Sequence, residues 1–294
     1  MGIFELNTPI MKKLLLASLF FAFASLLQAQ QKSPYTLFDA KGRKVSYTKM
    51  IRLLKNKDIV LFGEYHNNAI AHWLQLSVTK DLHAKRQMVL GAEMFEADNQ
   101  DALNNYLSGK LSAKGLDSNA RLWKNYPTDY APLVNYAKAN HIPFIATNIP
   151  RKYAALVNKG GFGKLDSLTS EEKKWMAPLP MAYDASLPGY VNMIKMMGVH
   201  ATENMPKAQA SKDATMAHFI LSNHTNGSLF LHYNGAYHSD YFDGINWYLK
   251  QQNPNLKIGT ISTVSQANIK SLLAENMGKA DFIICVDIDM TNTY

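Results

Sequence analysis

Short apolar runs separated by stretches of helical periodicity constrain this chain more than any other feature. DIVLFG (58–63), QMVLGAE (87–93), IPFIATN (142–148), SLFLHYNG (228–235), KIGTIS (257–262) and DFIICVD (281–287) are all of strand length. They are apolar nearly throughout, as strands covered on both faces are. Between them, AIAHWLQLSVTKDL (69–82) sets Ile70, Trp73, Leu74 and Val78 on one helical stripe. NQDALNNYLSG (99–109) reads as a helix ending at a glycine, and YAPLVNYAKANH (130–141) as another. This alternation predicts an α/β fold, with a mainly parallel β-sheet flanked by helices.

The stretch 160–225 has a different texture. LTSEEKKWM (168–176) opens like a capping box at Thr169 or Ser170. PLPMAYDASLPGYVNMIKMMG (178–198) carries prolines and several methionines, and MPKAQASKDATMAHFILSN (205–223) reads as a long helix. A smaller helical cap domain is expected from about 105–130 and 160–225, within one domain spanning 30–294.

At the N-terminus, Lys12 and Lys13 precede the apolar run LLLASLFFAFASLL (14–27), and small residues follow near Ala29. That is the layout of a secretory signal peptide over 1–29, with 1–10 as an over-early start or a long n-region. The run is short for a membrane span, and no lipobox cysteine stands near the cleavage point. The one cysteine, Cys285, excludes an intrachain disulfide. Export without disulfides fits a periplasmic or cell-envelope location. The formal charge of +8 favours anionic partners such as a membrane surface or a small ligand. No basic run interleaved with aromatics points to nucleic acid.

Parallel sheets bind ligands beyond the C-terminal ends of their strands. The residues that follow the runs are Glu64 and His66, then Glu93 and Glu96, then Asn148 and Arg151, then Asn234, Tyr237 and His238. Carboxylates, imidazoles and a guanidinium thus converge on one sheet edge, with Gly63 and Gly235 expected to let the backbone turn sharply there. Gln209, Asp213, Met216 and Ile220 share a helical face, which sets Gln209 and Asp213 to line the cleft from the cap side. His66, Glu93 and His238 suit a divalent metal ion with an open position. Glu64, His66, Glu93 and His238 equally suit acid–base hydrolysis. No HExxH, GxSxG, Walker or dinucleotide glycine pattern is present.

Five blocks carry a resemblance: GEYHNNAIAHWLQ, LGAEMFEADNQDALNNYLSG, IPFIATNIPRKYAALVNKGG, AQASKDATMAHFI and NGAYHSDYFDGINWYLK. In this order they resemble the ChaN-like haem-binding uptake family of the Tiki superfamily, a group related to erythromycin-esterase-like and TraB-like proteins. The usual Gly-Glu-x-His-Asp motif is matched by Gly63, Glu64 and His66, with Asn67 in place of the aspartate. The resemblance implies a parallel α/β core with a helical domain and a haem- or iron-binding role in uptake or sequestration. The cofactor implied is haem, with a divalent metal ion as the alternative, and metal-dependent or Glu/His-based hydrolysis as the other activity. Members are typically cell-envelope proteins, and some hold haem between two subunits with a tyrosine on the iron, so a haem-linked homodimer and membrane association are expected partners. Glu64, His66, Glu93, Asn148, Arg151, Gln209, Asp213 and His238 are the implied binding residues. Tyr65, Tyr183, Tyr190 and Tyr237 are the axial candidates, and Arg151 or a surface lysine would meet the propionates.

Overall fold

The computed structural model describes residues 33–294; the segment 1–29 expected to be a signal peptide lies outside them. Residues 35–294 form one compact unit. In chain order, its main elements begin with β1 (Tyr35–Asp39), α1 (Tyr47–Leu54), β2 (Ile59–Glu64), α2 (Ala69–His83) and β3 (Met88–Glu96). There follow α3 (Gln100–Leu107), α4 (Ala113–Asn119), α5 (Ala131–Ala139), β4 (Phe144–Asn148), α6 (Arg151–Gly160) and the one-turn α7 (Ser170–Lys173). The chain continues through α8 (Pro188–Met197), α9 (Asn204–Asn223), β5 (Leu229–Gly235), α10 (Ile245–Gln252), β6 (Ile258–Gln266) and β7 (Phe282–Asp287).

The seven strands form one sheet in the order β1-β7-β6-β2-β5-β3-β4. All neighbours are parallel except β1, which runs antiparallel to β7 with Tyr35 opposite Val286. The expected mainly parallel α/β fold is therefore present. All six anticipated strands form, and β1 is a seventh that the sequence reading did not include.

Alternate strand residues enter separate cores, as the pleat requires. Val60, Phe62, Leu90, Leu231 and Tyr233 pack beneath α2, α3 and α5. Ile59, Leu61, Val89 and Phe230 pack against Ala210, Ala214, Ala217 and Ile220 of α9 and Leu249 of α10. Small residues on α9 let it lie close on the sheet beside β4. The segment around Leu116 and Tyr130 joins the first core. The capping box at Thr169 is formed, with Glu172 as its partner.

Two central strands send the chain in opposite directions. From β2 it crosses beyond β5 to β3; from β5 it crosses beyond β2 to β6. A crevice opens above their C-terminal ends, where such reversals place ligand sites. The register of β3 shifts between Ala92 and Glu96, an irregularity that re-aims the side chains within it, Glu93 among them.

Candidate functional site

Glu64 ends β2 and is 1% exposed. A buried carboxylate needs partners, and this one has three hydrogen-bonding side chains, with His72 Nδ1 a further 3.5 Å from Oε2. Tyr130 donates to Oε1 at 2.6 Å, Gln75 donates to Oε2, and His66 Nδ1 lies 2.8 Å from Oε1. The imidazole is thereby held with Nε2 directed at Gly235, where an added Cβ would stand 2.8 Å away. Trp123 packs edge-on against the ring at 4.9 Å. Burial would lower the His66 pKa, but the hydrogen bond to Glu64 and the charges of Glu93 and Glu64 outweigh it and raise it.

A second cluster is centred on His238. Its Nε2 lies 3.2 Å from Glu93 Oε1, and its Nδ1 lies 2.5 Å from Asp213 Oδ1. Glu93 Oε2 accepts the backbone N–H of Gly235 at 2.7 Å, and Asp213 Oδ2 accepts from Tyr190 at 2.9 Å. The Gln209 amide stands 2.9 Å from His238 Nδ1. Burial alone would hold His238 neutral; the flanking carboxylates instead push it up to about 9. Glu93 is held well below the usual carboxylate range, because His238, His66 and the Gly235 N–H overcome its burial. Asp213 is raised, burial exceeding the pull of His238. The floor of the crevice is thus a buried imidazolium between two carboxylates, beside a second imidazole on a carboxylate of its own.

Glu64, His66, Glu93, Gln209, Asp213 and His238 are all brought together. Asn148 joins them by donating to the Glu93 carbonyl at 3.0 Å. Arg151 stands at the start of α6 and lines the adjoining arm of the cleft. The tyrosines separate. Tyr65 and Tyr237 line the main arm, a cavity of about 910 Å³, and are 37% and 39% exposed. Tyr190 is buried on Asp213, and Tyr183 stacks on Tyr190 away from that arm. Glu93 and His238 have their donor atoms turned on each other and on protein partners, and His66 Nδ1 is engaged by Glu64. Among the described residues no group of three or more His, Cys, Asp or Glu side chains is arranged to hold a metal ion.

Gly63 and Gly235 do not have positive φ angles, so a sharp turn is not why glycine stands there. Their need is space: a Cβ on Gly63 would lie 2.9 Å from Ala236 Cα.

Gln75, Tyr130, Asn125 and Asp129 were not anticipated. Asn125 donates to the His66 carbonyl at 2.9 Å and to Asp129 at 2.7 Å, and His72 bridges His66, Gln75 and Asp129. Gln75 was the most accessible of these from sequence, as an amide three residues beyond His72 in the apolar first half of its helix. Tyr130 and Asp129 sit in a turn with no local pattern to mark them.

A parallel α/β protein with a polar cleft at its topological reversal defines the class: a ligand-binding or catalytic scaffold whose site sits above β2, β3 and β5. The family model described as haem-binding uptake, Tiki superfamily, ChaN matches residues 50–249, and the chain belongs to that family. Among solved structures, the one titled "Cofacial heme binding to ChaN of Campylobacter jejuni" is similar with a TM-score of 0.62 at 20% identity, over 87% of this chain and 98% of that one. A succinoglycan biosynthesis protein is similar with a TM-score of 0.54 at 12% identity, over 89% and 96%. At these identities the likeness is one of fold. The chain is also 28% identical over 111 residues to Protein RETICULATA-RELATED 5, chloroplastic, of Arabidopsis thaliana, covering 36% of this chain and 15% of that protein's length.

Proposed function

We propose that this chain binds haem in the main arm of the cleft and serves haem or iron uptake or sequestration as an exported cell-envelope protein. The observation that carries this reading is an open cavity of about 910 Å³ at the sheet reversal of a member of a haem-binding family. Its size is at the upper end of small-molecule sites, which span ~300–1,000 Å³. Its wall carries what a porphyrin needs: two partly exposed tyrosines, and Met196, which is 79% exposed. Haem, when bound, supplies a ferric iron that accepts a phenolate.

Of the four tyrosines, Tyr65 and Tyr237 fit that role. Tyr237 already donates to the Gly189 carbonyl and its hydroxyl is pushed up to about 12 by burial and nearby aspartates. Tyr65 is the better axial ligand: burial and Asp240 raise its phenol too, but a hydrogen bond from the Ser265 backbone N–H favours the phenolate. Tyr190 is pushed far above the usual phenol range by burial and Asp213 and cannot ionise there. Lys195 and Lys212 on the same rim suit the acid groups of haem.

Titration of the protein with hemin should give a saturable Soret change, weakened about tenfold or more by Tyr65→Phe. Analytical ultracentrifugation of the same samples reads out haem-linked dimerisation. Absence of any saturable spectral change would sink the reading.

The Glu64–His66 pair supports a second reading, hydrolysis without a metal. A buried carboxylate orients Nδ1 and leaves Nε2 facing the cleft, as a general base requires. Ester turnover abolished by His66→Ala, with hemin titration silent, favours it.

A further inference from the structure

We propose that the second arm of the cleft is a separate oxyanion subsite that takes a phosphate or carboxylate group. This arm encloses about 940 Å³ between the C-terminal ends of β3 and β4 and meets the main arm at His66, Glu93 and Lys212. Besides Arg121 and Lys152, three cations from three separate segments line it: Lys124 after α4, Arg151 at the start of α6, and Lys212 in the middle of α9. Among the described residues none of the three has an ion-pair partner. The acids nearby are already matched. Glu96 and Asp98 both pair with Arg121, and Glu93 pairs with His238. The arm therefore keeps an uncompensated positive charge.

A helix start borders the same place. Helix α6 is ten residues long and begins after Pro150, whose side chain cannot cap it, so no side chain satisfies its first amides. An uncapped helix start with its positive dipole end is a natural seat for an anion. Asn148 lines this arm, is 8% exposed, and has a buried Oδ1 with no hydrogen-bond partner. Its Nδ2 donates to the Glu93 carbonyl, which fixes the amide orientation and leaves the oxygen as an unmet acceptor. A buried acceptor left unmet is costly. That oxygen is sealed from the arm, so the cations and the helix start supply the ligand contacts. Ala155, one turn into α6, leaves room for the group to approach.

The subsite stands whether or not haem occupies the main arm. Inorganic phosphate is titrated into the full chain and followed by ³¹P NMR and calorimetry, with sulfate in parallel. Saturable phosphate binding is expected, with sulfate competing for the same site. The double change Arg151→Ala with Lys212→Ala, both partly exposed positions, should weaken phosphate about tenfold or more, and Arg151→Lys should recover part of the loss. Repeating the titration with hemin present separates the sources. Persistent phosphate binding marks a free oxyanion, and displacement by hemin, but not by its dimethyl ester, marks the acid groups of haem as the occupant. No saturable phosphate response from the unmodified protein, or a response unchanged in the folded double variant, overturns the proposal. A missing Soret change with phosphate binding intact would count against haem alone.

Discussion

Gly235 shows how little room the site leaves. Its backbone N–H holds Glu93, and its missing side chain makes space for His66 Nε2. Gly235→Ala forces the imidazole aside, because the clash is with a ring fixed by Glu64 and Trp123 rather than with a flexible chain end. The expected result is a loss of hemin affinity together with about 1–3 kcal/mol of stability, the usual cost of overpacking, read by titration and denaturant melts on one sample. The tyrosines give the complementary pair. Tyr190→Phe should cost about 1–3 kcal/mol by stripping a hydrogen bond from buried Asp213, with hemin binding retained. Tyr65→Phe should do the reverse, changing the hemin spectrum while stability stays within about 0.5 kcal/mol.

Helix α9 does two jobs with two faces. Ala210, Ala214, Ala217 and Ile220 cover the sheet, while Gln209 and Asp213 reach His238. The shared face of Gln209 and Asp213 was legible because helical spacing is a local property. That the helix also covers β4 was not, because Ala at every third or fourth position says only that something approaches closely. Asp213→Ala leaves His238 with one carboxylate fewer in a buried setting. A loss of about 3–5 kcal/mol is expected, as for other broken buried pairs, with Asp213→Asn milder; urea melts at neutral pH decide. Strand β1 escaped the sequence reading because YTLFD is five residues with only Leu37 and Phe38 buried.

For the whole molecule, the buried titratable groups fix how stability follows pH. Protonated His238 favours the folded state, so its contribution is complete below the ordinary 6.5 and is lost as pH rises through about 9. His66, also raised, acts in the same direction. Unfolding free energy should therefore fall between about pH 6.5 and 9, by up to about 3 kcal/mol from His238, and His238→Gln should flatten that limb. On the acid side Glu93, held low, withdraws its contribution as pH falls below the usual carboxylate range. His232, held to about 4 by burial, adds a loss over the same descent, while Asp240, raised to about 6 by burial, offsets part of it. Thermal melts across pH 3 to 10 test both limbs.

By itself the sequence determined the α/β class, six of the strands, and that Glu64, His66, Glu93, Asn148 and His238 lie at or near the C-terminal ends of strands, because strand length, apolar runs and helical spacing are written in neighbouring residues. Only the tertiary structure decided that Tyr130 and Gln75 hold Glu64, that Asp213 shares His238 with Glu93, and which tyrosines face the cleft. Those pairings join positions as far apart as 64 and 130, or 93 and 238, and the pleat, the reversal of strand order and the packing of α9 bring them within hydrogen-bonding reach. No pattern in neighbouring residues records such a meeting; it exists only once the sheet has closed.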